Sequence, residues 1–209
     1  MILRTLLIGA IACLVTPATA DFVESAGGGA VPDPGVLVSE TATITRSETI
    51  NDLSITLNDF DHTWVGDLVG TLTHVNTGTE VTIFNRVDVY GTSGSGDGSN
   101  MFGDYTFGDG GDDFWREANS GNSSYVLSPG MYEATDEQGN VNSLQAAFAG
   151  ESTAGVWRLT IEDADANESG SFGSWQINFS STIPEPTSLG VVAGLLGLAA
   201  IARRRTRFV

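Results

Sequence analysis

Nucleophilic and acid–base chemistry at neutral pH needs a base, and this chain of 209 residues offers few. His62 and His74 are its only histidines, it has no lysine, and all nine basic side chains are arginine. Neither a Gly-x-Ser-x-Gly elbow nor a His-Glu-x-x-His pair occurs. Asp61 beside His62 suggests a fragment of a triad, but no third partner follows from the sequence. Paired carboxylates are the tools of glycosidases, yet 26 acids in one chain make any pair uninformative. No catalytic residue is assigned, and the expectation is a protein that is not an enzyme.

The acids make one sharper suggestion. Asp163-Ala164-Asp165-Ala166-Asn167 sets three oxygen-bearing side chains at alternate positions of a loop, and calcium takes six to eight hard oxygen ligands. It is not an EF-hand, since Glu168 stands where the sixth-position glycine belongs and Ser174 where the bidentate glutamate belongs. Ca2+ is therefore expected at Asp163, Asp165 and Asn167, joined by Asp67 where the two Gly/Asp turns meet at one end of the molecule. Of the four tryptophans, Trp157 and Trp175 alternate with polar neighbours and are expected in the core. Trp64, in a turn, and Trp115, in a polar stretch, are the candidates for glycan contact.

Charge narrows the classes of partner. Between Asp21 and Ile183 there are 25 acids and 4 arginines, a net −21. Such a body repels phosphate backbones and anionic headgroups, so no nucleic-acid partner is expected. The single cysteine, Cys13, lies in an N-terminal apolar run, which leaves the body without a disulfide or a thiolate metal site.

The elements that must position these residues read as strands. Leu53–Leu57, Leu68–Leu72, Val81–Phe84, Val156–Ile161 and Trp175–Phe179 are short, rich in β-branched and aromatic side chains, and bounded by Gly, Asn, Asp or Ser clusters. No helical stripe of useful length occurs in the body, and parallel β-α-β units find no room for crossover helices. An all-β antiparallel sandwich from about Thr41 to Ser180 is expected, with helix confined to the terminal signals. Its core should hold Leu57, Leu72, Trp157, Leu159, Ile161, Trp175, Ile177 and Phe179. Residues 21–40 read as a flexible segment. Gly91 to Gly121, rich in Gly, Ser and Asp, reads as a surface excursion with one short strand around Tyr105 to Phe107.

Two stretches together resemble the P domain, or Homo B domain, of proprotein convertases. Ile55-Thr56-Leu57-Asn58-Asp59-Phe60-Asp61-His62-Thr63-Trp64-Val65-Gly66-Asp67-Leu68 is similar to that family's strand, histidine-bearing turn and Gly-Asp-Leu. Gly155-Val156-Trp157-Arg158-Leu159, an acidic turn, and Gly170-Ser171-Phe172-Gly173-Ser174-Trp175 are similar to its closing hairpin. Gly78-Thr79-Glu80 after Asn76-Thr77 departs from the family's usual Ser-Pro-x-Gly-Thr turn. The resemblance implies a jelly-roll-like sandwich of about eight strands in which His62 belongs to a structural turn.

Both ends read as addresses. Arg4, the apolar run Leu6 to Val15 and the small-x-small ending Ala18-Thr19-Ala20 make a secretory signal cleaved after Ala20. At the other end, Pro184-Glu185-Pro186 precedes fourteen apolar or glycine residues, Leu189 to Ala202, then Arg203-Arg204-Arg205. Fourteen helical residues span about 21 Å, short of a bilayer core of about 30 Å, and the arginines hold that end in the cytoplasm. This tail resembles the PEP-CTERM sorting signal of Gram-negative bacteria, which implies an exosortase-type membrane protease as partner and a transient membrane anchor through the C-terminal helix.

The expected organisation is a signal peptide over 1–20, a flexible segment over 21–40, the sandwich over 41–181 and the sorting signal over 182–209. The expected function is that of an exported, non-catalytic protein of the cell surface or extracellular matrix. The alternative is a carbohydrate-binding module associated with exopolysaccharide; a secreted hydrolase is less favoured.

Overall fold

A computed structural model describes residues 19–41, 43–89, 94–118 and 123–182 of the chain. All of them belong to one compact unit, Thr19–Ile183. The signal sequence up to Ala18 and the sorting signal from 183 onward, including Pro184, Glu185, Pro186, Arg203, Arg204 and Arg205, lie outside the described residues. Among the described residues no helix is long and apolar enough to cross a membrane.

The unit is mostly β, in two sheets, with no closed barrel. In chain order its elements are β1 (Thr19–Val31), β2 (Gly35–Glu40), β3 (Thr49–His62), a 3-10 turn (Val65–Asp67), β4 (Leu68–His74), β5 (Thr79–Asn85), β6 (Asn100–Asp112), α1 (Phe114–Ala118), β7 (Val126–Leu127), β8 (Gly130–Tyr132), α2 (Leu144–Phe148), β9 (Trp157–Asp163) and β10 (Gly170–Thr182). One sheet runs β1-β10-β3-β6-β7 with β8 also on β6, and the other runs β2-β9-β4-β5.

All five strands expected from the alternating segments are present, inside β3, β4, β5, β9 and β10. The eight expected core residues are buried, with Trp157 and Trp175 fully inaccessible. Cross-strand pairing explains why they meet: Trp175 faces Leu57, Ile177 faces Ile55 and Phe179 faces Leu53 across β10 and β3, while Leu72 faces Leu159 across β4 and β9. Between the sheets Trp157 stands edge-on to Phe179 and to Phe148.

Four expectations need correction. The segment 21–40 is not a loose leader: β1 pairs with β10 along its length and β2 with β9. An edge strand needs only backbone bonds on one side and one half-covered face, so Gly27-Gly28-Gly29 lacks the hydrophobic alternation that announces a central strand. The strand expected around Tyr105 to Phe107 in the polar stretch 91–121 is present but far longer: it is the centre of β6, a thirteen-residue strand that buries Met101, Tyr105 and Phe107. Its glycines mark close approach to neighbouring backbone: a Cβ at Gly111 would lie 2.3 Å from the carbonyl carbon of Tyr132. Helix is not confined to the ends, since α1 and α2 each complete about one turn, too short to leave a periodic stripe. Nor is pairing wholly antiparallel, because β7 and β8 run parallel to β6.

Candidate functional site

Strand period and one bulge decide which polar side chains enter the interior. In β3, Leu53, Ile55 and Leu57 face inward, and unbroken alternation would then turn Asp59 and Asp61 to the core. The register with β6 instead shifts between Leu57 and Phe60, and Asp59 takes a left-handed φ of 51°. The bulge returns Phe60 and His62 to the inner face and leaves Asp61 exposed. Asp61 and His62 therefore point to opposite sides, and the neighbouring pair forms no dyad. In β9 the inward set is Trp157, Leu159, Ile161 and Asp163, so Asp163 is carried into the interior at the strand's end.

These two buried residues meet. His62 Nε2 lies 3.2 Å from Asp163 Oδ2 with both side chains fully inaccessible. His62 Nδ1 has no hydrogen-bond partner. Asp163 is further engaged through Oδ1, which accepts from the Asp165 amide at 3.3 Å.

His74, the other histidine, closes the opposite end of β4 against β9. It stacks on Trp157 with ring centroids 4.3 Å apart and planes within 1° of parallel. Nδ1 lies 2.8 Å from Glu151 Oε2 and Nε2 lies 3.1 Å from the Ala154 carbonyl. Burial opposes the charge on Glu151, but hydrogen bonds from Thr79, His74 and Thr77 outweigh it and hold the carboxyl below its ordinary pKa.

The acidic turns do meet at one end of the sandwich, as expected. Leu68 pairs with Asp163, and the Ala164 amide donates to the Asp67 carbonyl at 2.9 Å, which sets the start of β4 beside the end of β9. Gly66 admits the loop 95–97 against this turn, since a Cβ there would lie 2.5 Å from the Ser95 carbonyl oxygen. Asp67 is 1% exposed, and its Oδ1 is buried without a hydrogen-bond partner. Burial, then the charges of Asp165, Asp163 and Glu168, push its pKa up to about 7 against the weaker pull of Arg86. Arg86 holds the Gly66 carbonyl through Nε at 3.2 Å and the Gly94 carbonyl at 3.1 Å, and stands 3.8 Å from Asp165 Oδ2.

Trp64, Asp67, Ser95, Asp165, Ala166, Asn167 and Glu168 line a cavity of about 200 Å³ at this end. Of the four expected calcium ligands, Asp67, Asp165 and Asn167 line it, whereas Asp163 is turned away to His62. Glu168 lines it as well; its place in the loop made it unlike an EF-hand residue, and nothing in the local spacing marked it as a partner of Asp67. Among the described residues no three His, Cys, Asp or Glu side chains stand close enough to hold a metal ion as they are. The indole N–H of Trp64 donates to the Ser95 carbonyl. Trp115 is half-buried against the core, and Gly139 lies over its ring, so close that a Cβ there would be 2.9 Å from Cδ2.

The family model of the proprotein convertase P-domain matches residues 117–179. The matched span holds β7 to β9 and most of β10, including the Trp157 and Trp175 hairpin, and it covers less than a third of the chain. The His62 turn and Gly66-Asp67-Leu68 lie before it. Among solved structures, the crystal structure of Aeromonas sobria serine protease in complex with the chaperone ORF2 is similar with a TM-score of 0.46 at 13% identity, over 80% of this chain and 28% of that one. The crystal structure of the Aeromonas sobria serine protease is similar with a TM-score of 0.43 at 15% identity, over 79% of this chain and 28% of that one. No curated protein matches the chain.

Proposed function

We propose that the chain is an exported, non-catalytic protein of the outer surface or extracellular matrix of a Gram-negative bacterium. Its body acts as a structural or interaction module, a P-domain-like sandwich of jelly-roll type. The observation that carries the reading is the fate of the two histidines. His62 is fully buried against Asp163, and His74 is clamped between Glu151, Ala154 and Trp157, so neither faces solvent with a nucleophile beside it.

Delivery follows from the terminal signals read in the sequence. The signal ending at Ala20 exports the body, and Leu189 to Ala202 holds it in the inner membrane with Arg203, Arg204 and Arg205 inside. Pro184 and Pro186 keep the chain extended at the membrane face, the backbone form that a protease accepts. An exosortase-type protease then cuts near Pro184-Glu185-Pro186. Mass spectrometry of the protein from cells that possess an exosortase tests this: the expected mature chain begins at Asp21 and ends close to Pro186, and neutral substitutions at Arg203, Arg204 and Arg205 lower the processed fraction. An intact terminus at Val209 in those cells overturns the sorting reading.

A carbohydrate-binding role is the second reading. It is favoured by the cavity itself, where Trp64 stands beside Asp165, Asn167 and Glu168, an aromatic ring with acid and amide groups at hand. Glycan-array binding lost in Trp64→Ala would establish it.

A further inference from the structure

The cavity between the start of β4 and the loop after β9 contains an anionic floor that Arg86 balances only in part. Asp67 is fixed there by its main chain: its amide donates to the Trp64 carbonyl at 3.1 Å and its carbonyl accepts from Ala164 at 2.9 Å. These bonds fix the Asp67 backbone at the junction of turn and loop, and the side chain from it lies buried. Its Oδ1 is nonetheless left without a hydrogen bond inside a residue that is 1% exposed. A buried carboxylate oxygen with no donor is costly unless something outside the protein supplies the partner.

The surroundings say what that partner is. Asp165 and Glu168 line the same cavity, and Asp163 stands behind them, already held by His62. Among the described residues Arg86 is the cation placed near, and its guanidinium is engaged by the Gly66 and Gly94 carbonyls and lies 3.8 Å from Asp165. The lining offers carboxylate, amide and hydroxyl oxygens and neither sulfur nor imidazole, a set that suits a hard cation and not zinc or copper.

We propose that this cavity binds a divalent cation, calcium by its ligand chemistry, with Asp67 as the fixed ligand and Asp165, Glu168 and Asn167 closing on the ion from the exposed side. The proposal does not rest on the sorting reading. The site is not preassembled: no three acidic side chains converge in this structure. Asp165 and Asn167 are exposed and Glu168 half-buried, and these side chains are the ones that must rotate. Calcium accepts six to eight ligands in irregular geometry, with water completing the shell, whereas magnesium demands a near-ideal octahedron and gives up its water reluctantly. A cavity of about 200 Å³ leaves room for the ion and several waters.

Trp64 supplies a built-in reporter, because a tryptophan beside a bound lanthanide sensitises its emission and terbium takes calcium's ligands. The expected result with the full-length chain is terbium luminescence on indole excitation that calcium displaces and that tetramethylammonium, an organic cation of similar charge density to a choline headgroup, does not. The double substitution Asp165→Asn with Glu168→Gln, at two side chains outside the core, should raise the terbium dissociation constant at least about tenfold, and Glu137→Gln, in a distant turn, should leave it unchanged. Trp64→Phe should abolish the emission while millimolar calcium still raises the melting temperature. Emission unaffected by the double substitution, equal displacement by tetramethylammonium, or no emission together with a melting temperature identical in calcium and in chelator each overturns the proposal.

Discussion

At the scale of single residues, Asp67 dominates the electrostatics of the fold. Its carboxyl is pushed up to about 7, first by burial and then by Asp165, Asp163 and Glu168. An acid whose folded pKa lies above its unfolded value of about 3.9 binds its proton more tightly in the native state, so stability declines as pH rises between those two values. In the presence of chelator, the stability gained by Asp67→Asn over the wild type should grow from pH 4 toward pH 7 and level off above, because Glu151 and other acids with lowered pKa values contribute equally to both. At pH 8 that gain should be about 1–2 kcal/mol once solvent screening is allowed for. A difference that stays constant over the same range would contradict the assignment. Much of this site was legible in the sequence: Asp67 and the Asp163 loop were expected to meet, and they do. Two things were not. Asp163 sits on the inward beat of β9 one strand length after Trp157, which gives it to His62 instead of to the cavity, and Glu168 joins the cavity by a loop path that no residue spacing encodes.

At the scale of elements, the bulge in β3 is the device that gives the interior its polar pair. The residues inward of it run Leu53, Ile55, Leu57, and those after it run Phe60, His62, a change of phase that needs one extra residue. Asp59→Val keeps the length but disfavours the left-handed φ of 51°; were the bulge lost at that length, plain alternation would turn Phe60 and His62 outward, stranding Asp163 without its partner and opening a hole beside Phe172, which stacks on Phe60 at 5.8 Å. The expected loss is about 1–3 kcal/mol, the cost of holding a β-branched residue in that region. Asp59→Gly, which keeps the length and suits the left-handed φ, should change the unfolding free energy by less than about 1 kcal/mol. Equal damage from both changes would mean that the Asp59 side chain, and not the bulge, matters. The five strands with strong alternation were legible because burial on one face imposes period two. Of strand β6 only the centre, Tyr105 to Phe107, was legible, since glycines at positions of close backbone approach dilute the hydrophobic signal of the rest. Strands β1 and β2 were hidden for the other reason: at a sheet edge, hydrogen bonds to β10 and β9 hold a segment whose side chains declare little.

At the scale of the whole molecule, charge is the property that sequence and structure share most directly. The body carries 25 acids against 4 arginines, and of these arginines Arg46 pairs with Glu48, Arg158 with Glu40 and Arg86 stands near Asp165. Local pairing thus neutralises only a small part of the surface, and the rest repels itself across a compact body. Screening lengths fall from about 30 Å at 0.01 M ionic strength to about 8 Å at 0.15 M, so sodium chloride should relieve most of that long-range repulsion by physiological strength. The melting temperature should therefore climb by several degrees between 10 and 150 mM sodium chloride and change much less between 150 and 500 mM. Calcium added at constant ionic strength should then raise it further in the wild type, because an ion held at Asp67 acts by mass action, about 2.7 kcal/mol at a hundred times its dissociation constant, and not by screening. In the Asp165→Asn, Glu168→Gln variant the salt response should persist while the calcium increment shrinks. A flat response to sodium chloride would mean that the acids are spaced or solvated well enough for the net charge to cost the fold nothing, and stability would then have to be argued from the aromatic core, the buried His62–Asp163 pair and the partly exposed His74–Glu151 pair.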